Sequence, residues 1–204
     1  HIKNGGDHGG ENYELVWVGN MGGMRESRRL MGEYVLKEQD ILANTIFPDA
    51  VAYGGWPMDE HTAAGFWAKG EIPSRVRSFP GLYSIPYGCY CSKTIRNLMM
   101  AGRNISASKL AMGSTRVMGT CAVGGEAVGI AAAQAAQKGL TPTQYGKQYM
   151  KQLQQALLKS DLYVMGQKNE DPADRALTAQ VTASSQKRGY EAAMVISGVT
   201  GREG

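Results

Sequence analysis

The sequence predicts an α/β fold, and two adjoining stretches carry most of that expectation. Residues 98–101, Leu-Met-Met-Ala, form an apolar run of the length a buried strand needs. Gly102-Arg103-Asn104 then stops it as a turn. After a small-residue loop, Ser114 and Thr115 are each placed to cap a helix, and residues 117–136 supply roughly six turns of Ala, Val, Gly and Cys with almost no charge. A helix apolar on nearly every side is expected to be buried on nearly every side. Gly119, Gly124, Gly125 and Gly129 would each cost about 1 kcal/mol relative to Ala, which predicts close backbone approach along it. With its amino end at the strand's carboxyl edge, such a helix offers free N–H groups and a positive dipole end to an electron-rich group.

The remaining elements follow in chain order. Residues 1–12 are polar and Gly-rich, and His8 there reads as solvated. Residues 13–18 are aromatic and β-branched, which predicts a short strand before the turn at 19–23. Arg25-Glu26-Ser27-Arg28-Arg29 is either a surface ion-pair cluster or a set of guanidinium forks for an anion, and a strand is expected at 30–36. Residues 37–43 read as a helix closed before Pro48, and 51–53 as a strand. Asp59 and His61 follow in a predicted loop, either as an acid/base pair or as a structural hydrogen bond. Residues 71–78 read as an exposed connection, and Pro80 and Pro86 argue against a central strand at 80–87. Tyr83 and Tyr87 either pack or reach a substrate.

Gly139 is expected to end the long helix, and Thr141-Pro142 to cap and open the next. That helix, at 146–159, would bury Tyr149, Met150, Leu153 and Leu157, with Lys147, Lys151, Gln154 and Gln155 off the stripe. Residues 167–175 form a polar linker, and strand-like runs follow at 179–185 and 193–199.

Bulk composition removes several function classes. The 204 residues carry a net charge of only +4, and no basic block is interleaved with aromatics, so nucleic-acid binding is not indicated. Cys89, Cys91 and Cys121 are odd in number and lack metal-ligand spacing; Cys89 and Cys91 would share one face of a strand, where burial is the leading reading and a redox pair the lesser one. Thr120, Glu126 and Gln134 interrupt the longest apolar run, which argues against a membrane span. Gly5-Gly6 and Gly9-Gly10 follow no strand, so no dinucleotide fingerprint is present to cradle a pyrophosphate.

The run AGRNISAS followed by GSTRVMGTCAVGGEAVG resembles the carboxyl-terminal flavin-binding segment of FAD-dependent oxidoreductases with a glutathione-reductase-type nucleotide fold. The resemblance takes in GMRESRRLMGEYVL, GGWPMDEH and YSIPYG, and covers roughly residues 24–158. It implies FAD as cofactor, with the helix after Arg116 aimed at the pyrimidine edge of the isoalloxazine, where charge grows on reduction. It implies that the strand at 98–101 returns to the nucleotide-binding sheet. Gly102, Arg103 and Asn104 would line the ribityl and pyrophosphate side, although Arg103 stands where more distant flavoproteins often have an acidic residue. Arg116, Gly119, Thr120 and Cys121 would meet the flavin or a substrate over it, and Asp59, His61, Arg25 and Arg28 would serve catalysis.

A small-molecule substrate giving hydride to flavin is implied, and so is a partner: the remainder of a longer flavoprotein chain carrying the missing fingerprint. Alone, this piece would bind FAD weakly or not at all. Residues 176–204 resemble the opening of a galactose-binding-like β-sandwich of the discoidin type, found on secreted carbohydrate-active proteins. The resulting division is a leader at 1–23, the oxidoreductase portion at 24–166, a linker at 167–175 and the start of a sandwich at 176–204. The competing expectation is a non-catalytic carbohydrate-binding scaffold with a degenerate flavoprotein fold.

Overall fold

Small side chains decide how the elements meet. A computed structural model describes residues 2–21 and 28–199. In order they form α1 (Glu38–Leu42), β1 (Ala50–Gly54), β2 (Met58–His61), β3 (Ser74–Arg77), β4 (Tyr83–Pro86), α2 (Lys109–Thr115), α3 (Met118–Gln137) and α4 (Pro142–Lys159), with short 3-10 turns between and after them. The architecture is mixed α/β. β1 pairs antiparallel with β4, and β2 with β3, as two separate two-stranded sheets.

The core lies where β1 and β4 meet α3 and α4. Val51, Ala52, Tyr83, Ile85, Ala127, Ala131, Leu153 and Leu157 are all buried there. Gly54 leaves room for the Tyr83 ring, which a Cβ at that position would strike. The buried face of α3 is a single stripe, Thr120, Gly124, Ala127, Ala131 and Ala135, repeating every three to four residues. At Gly124 an added Cβ would lie 2.6 Å from the Tyr90 hydroxyl, so this glycine is needed for contact. Gly119, Gly125 and Gly129 have no such neighbour within 4 Å. The expectation that α3 is enclosed on nearly every side is therefore corrected: Ala122, Glu126, Gly129, Ala132 and Ala133 are exposed.

α4 begins as its sequence dictates. The Thr141 hydroxyl accepts from the Gln144 backbone N–H at 3.3 Å, and the Gln144 side chain reaches back to the Thr141 N–H at 3.0 Å. Gly139, at φ +66, terminates α3 just before it. One residue departs from the expected stripe: Gln154 is buried, and its amide donates to the carbonyls of Pro48 and Ala50 at 2.9 and 3.0 Å. Helical spacing marks it as polar; only the unpaired end of β1 gives it a reason to turn inward.

Several expected strands do not form. Residues 98–101 contribute one bridge, Met99 to Cys91, with Ser92 donating to the Leu98 carbonyl and Met100 to the Tyr90 carbonyl. They are half-buried and join no larger sheet among the described residues. Residues 13–18 are irregular, with Leu15, Val16 and Trp17 exposed, because nothing described pairs with them. Residues 30–36 make isolated bridges at Gly32 and Leu36. Conversely, the expected connection at 71–78 contains β3, and the loop expected before Ser114 contains α2, capped by the Ser108 hydroxyl accepting from Ala111. Ser114 and Thr115 close α2 instead of capping α3, whose N-cap is Val117.

The strand-like runs at 179–185 and 193–199 are irregular or 3-10, the latter as Ala192–Ile196; Ala-Ala-Met without a partner strand favours a local turn. Cys89 and Cys91 are buried as expected, but in a 3-10 turn and a single bridge in place of a strand. Burial pushes both thiols up, that of Cys91 to about 12.

The one-sided burial of α3 separates its glycines in a denaturation experiment. Gly124→Ala is expected to lose about 1–3 kcal/mol through overpacking on Tyr90. Gly125→Ala and Gly129→Ala, with open space around them, are expected to gain up to about 1 kcal/mol of helix propensity. Urea unfolding of the three variants measures this; equal effects at all three positions would overturn the stripe.

Candidate functional site

A strand places alternate side chains on one face, so Asp59 and His61 project together from β2. His61 Nε2 lies 3.0 Å from Asp59 Oδ2. β3 runs opposite in the register Asp59 to Val76 and His61 to Ser74, which sets Ser74 diagonally from Asp59, and its hydroxyl donates to Asp59 Oδ1.

The third partner arrives from α2. Gly113 packs directly on the β2 backbone: an added Cβ would fall 2.8 Å from the Asp59 carbonyl oxygen. Three residues on, at the C-cap of α2, Arg116 Nη2 donates to Asp59 Oδ2 at 3.1 Å and to the Asp59 carbonyl at 3.4 Å. Lys109 on the same helix pairs with Glu60 at 2.7 Å. Ser114 donates to the Trp56 carbonyl and meets the Tyr83 hydroxyl at 2.6 Å. Helix and ribbon are thus fastened at three levels.

The Asp59 carboxylate is held by Ser74, His61 and Arg116 together. The Ser74 hydrogen bond first, then the charges of His61 and Arg116, hold its pKa below the ordinary 3.8, against an opposing effect of burial. It stays ionised at neutral pH. Asp59 and Arg116 are only 18 % and 15 % exposed at the side chain, whereas His61 is 40 % exposed. A fixed anion behind a reachable imidazole leaves the ring's Nδ1 as the nitrogen that Asp59 does not engage. Arg116 Nε is buried with no hydrogen-bond partner among the described residues, as is Thr115 Oγ1 beside it.

A second cluster forms around the turn at 101–104. Arg28, Arg29, Gly102, Arg103, Asn104 and Met112 line a cavity of 250 Å³. Gly102 sits at φ +99, a left-handed conformation that other residues adopt only with strain. The Leu30 N–H donates to the Asn104 carbonyl at 2.8 Å and ties the two walls together.

Cys121, in the first turn of α3, has its thiol pushed up by burial and pulled down more weakly by the Arg103 charge; its Sγ is 3.5 Å from the Thr115 carbonyl. Met118 and Gly119 are exposed, Thr120 is buried, and the N-cap residue Val117 offers no side-chain hydrogen bond to this helix end.

The expected site residues therefore fall into three groups. Asp59 and His61 come together with Arg116, and Arg28 joins Gly102, Arg103 and Asn104. Gly119, Thr120 and Cys121 lie in the first turn of α3. Arg25 lies outside the described residues. Tyr83 and Tyr87 are buried, with Tyr87 donating to the Pro142 carbonyl at 3.1 Å and Tyr83 meeting the Ser114 hydroxyl, so both are packed into the core. Sequence reasoning placed Arg29 in the arginine cluster without singling it out as a site residue, and it missed Ser74. Arg29 was visible beside Arg28; Ser74 had no signal, because only strand pairing brings it to Asp59.

Among the described residues, no group of His, Cys, Asp and Glu is arranged to hold a metal ion, and no helix is long and apolar enough to cross a membrane. A sequence model of the family described as FAD dependent oxidoreductase matches residues 2–157. No curated protein and no solved structure matches the chain.

The Asp59 contacts have a pH signature. Its folded pKa is depressed, so its contribution is complete above the unfolded value of about 3.9 and is lost as pH falls through the folded one. At pH 7, Asp59→Asn is expected to cost about 1–3 kcal/mol by urea unfolding. That deficit shrinks as both proteins are taken below pH 4, and a deficit independent of pH would contradict the assignment.

Proposed function

Since the chain belongs to the FAD-dependent oxidoreductases, we propose that it takes part in hydride transfer from a small substrate bearing an oxidisable alcohol or amine carbon. When bound, FAD supplies the hydride acceptor. His61 takes the proton from the substrate's hydroxyl or amine through Nδ1 while the adjoining carbon gives up hydride. Asp59 is a positioning residue: engaged at both oxygens and ionised, it holds the imidazole and stabilises the imidazolium that forms. Arg116 keeps that carboxylate in place and brings a second positive charge to the site.

Three features support a flavin nucleotide beside these residues. The first turn of α3 presents backbone N–H groups that its N-cap residue Val117 does not cap. Arg116 Nε and Thr115 Oγ1, just before that turn, are buried and unsatisfied within the chain. Among the described residues, the cavity at Arg28, Arg29 and Arg103 is lined by three guanidinium groups. At 250 Å³ it is smaller than pockets of roughly 300–1,000 Å³ that enclose whole drug-sized ligands, so it suits a fragment of the nucleotide or of the substrate. The observation that carries the reading is the Asp59–His61–Arg116 contact, in which residues 57 positions apart in the chain converge on one carboxylate.

Anaerobic reduction of the flavin-loaded protein tests the roles. Addition of alcohol or amine substrates should bleach the flavin absorbance, and His61→Gln should slow bleaching by about 10²–10⁴-fold while flavin content is retained. Asp59→Asn should slow it less and shift its pH profile. An undiminished rate in His61→Gln would sink the proposal.

A further inference from the structure

The start of α4 leaves a cavity of 280 Å³ between itself and the 3-10 turn at Tyr87–Cys89. It shares no lining residue with the cavity at 101–104 or with the smaller one at His61. Most of its surface is apolar, from Tyr87, Cys91 and Met150 among others, and Glu33, Asp49 and Lys147 bring charge to it. Its volume is close to the lower end of small-molecule pockets, which begin at roughly 300 Å³.

The walls are fixed by contacts of their own. Glu33 Oε1 accepts from the Thr143 hydroxyl at 3.2 Å, Asp49 Oδ2 accepts from the Gly88 N–H at 3.4 Å, and the Tyr87 hydroxyl donates to the Pro142 carbonyl at 3.1 Å. At Gly146 an added Cβ would lie 2.5 Å from the Tyr87 ring, so α4 already touches that ring and cannot move inward to fill the space beside it.

Neither carboxylate forms an ion pair among the described residues, and each keeps lone pairs beyond the one hydrogen bond it accepts. Their charges reach the buried Cys91 thiol: burial first, then Glu33 and Asp49, push it up to about 12. Lys147 is exposed, and its flexible stem lets its ammonium stand in water. An apolar recess that two carboxylates make electronegative favours a molecule with a hydrocarbon body and one cationic head.

We propose that this cavity binds a small free primary amine as its ammonium ion, with the head on Glu33 and Asp49 and the hydrocarbon part against Tyr87 and Met150. The flavoenzyme reading is not needed for it.

Titration of the isotope-labelled chain with benzylamine, at pH 7 and constant ionic strength, tests this without flavin or turnover. The amide NMR signals of Gly88 and Gly146 should shift saturably. Benzoate, the same ring with the opposite charge, should bind at least about tenfold more weakly. Glu33→Gln and Asp49→Asn should each weaken benzylamine binding about tenfold, the loss expected for one charge-assisted hydrogen bond. Both keep an acceptor for the native partner, and thermal melts show which variants fold; if one does not, the other decides. Glu126→Gln, which removes a carboxylate from the exposed side of α3, should bind as the unmodified chain does. Lys147→Met removes a like charge and should bind at least as tightly.

Absence of saturable shifts, benzoate binding as strong as that of benzylamine, or undiminished binding by either folded carboxylate variant overturns the site. An equal loss in Glu126→Gln, or weaker binding by Lys147→Met, does the same. Failure of flavin reduction would leave the benzylamine titration standing, so the two proposals fail independently.

Discussion

Everything at the candidate site depends on how closely α2 approaches β2. Gly113 allows backbone to meet backbone at Asp59, a distance that even alanine would disturb. From that contact the geometry of the C-cap delivers Arg116 to the Asp59 carboxylate, and Lys109 to Glu60 one turn earlier. The tertiary contact therefore precedes the electrostatics in importance. An ion pair mostly removed from water repays its desolvation only when geometry is fixed beforehand and the remaining lone pairs are satisfied, and Ser74 and His61 provide that here.

Legibility in the sequence followed the range of the interaction. The opening of α4 was readable because Thr141, Pro142 and Gln144 satisfy their own neighbours, and α1 was readable from its length and the Pro48 stop. Strands fared worse, because a strand exists only with a partner. Residues 98–101 have the apolar composition of a core strand but find one bridge, while Ser74–Arg77, charged and proline-preceded, pairs along its whole length with β2. The long helix was legible as a helix, yet composition could not say which side was covered; Ala and Gly face the core at 124, 127 and 131 and face outward at 129, 132 and 133.

The site was legible by residue type and not by grouping. Asp59 and His61 announce themselves by spacing, but their reading as loop residues obscured why that spacing matters: on a strand, two residues apart means one face. Arg116 was expected at the flavin and is found against the Asp59 carboxylate, so residues expected to serve the cofactor and catalysis separately meet at one group. Arg28 and the 102–104 turn were expected to have different duties and share one cavity. Such mergers are a property of the fold's crossings, and no local pattern encodes them.

The β2–β3 ribbon is two strands wide and rests on α2 along one flank, with most of β3 in contact with water. Elements of that kind part from a domain at smaller free-energy cost than its centre. Ser74 releases Asp59 whenever the ribbon separates, while the β1–β4 core beneath stays intact. The Asp59–His61 contact is thereby tied to the pairing of a surface ribbon, and a molecule bridging His61 and β3 would favour the paired arrangement as it binds.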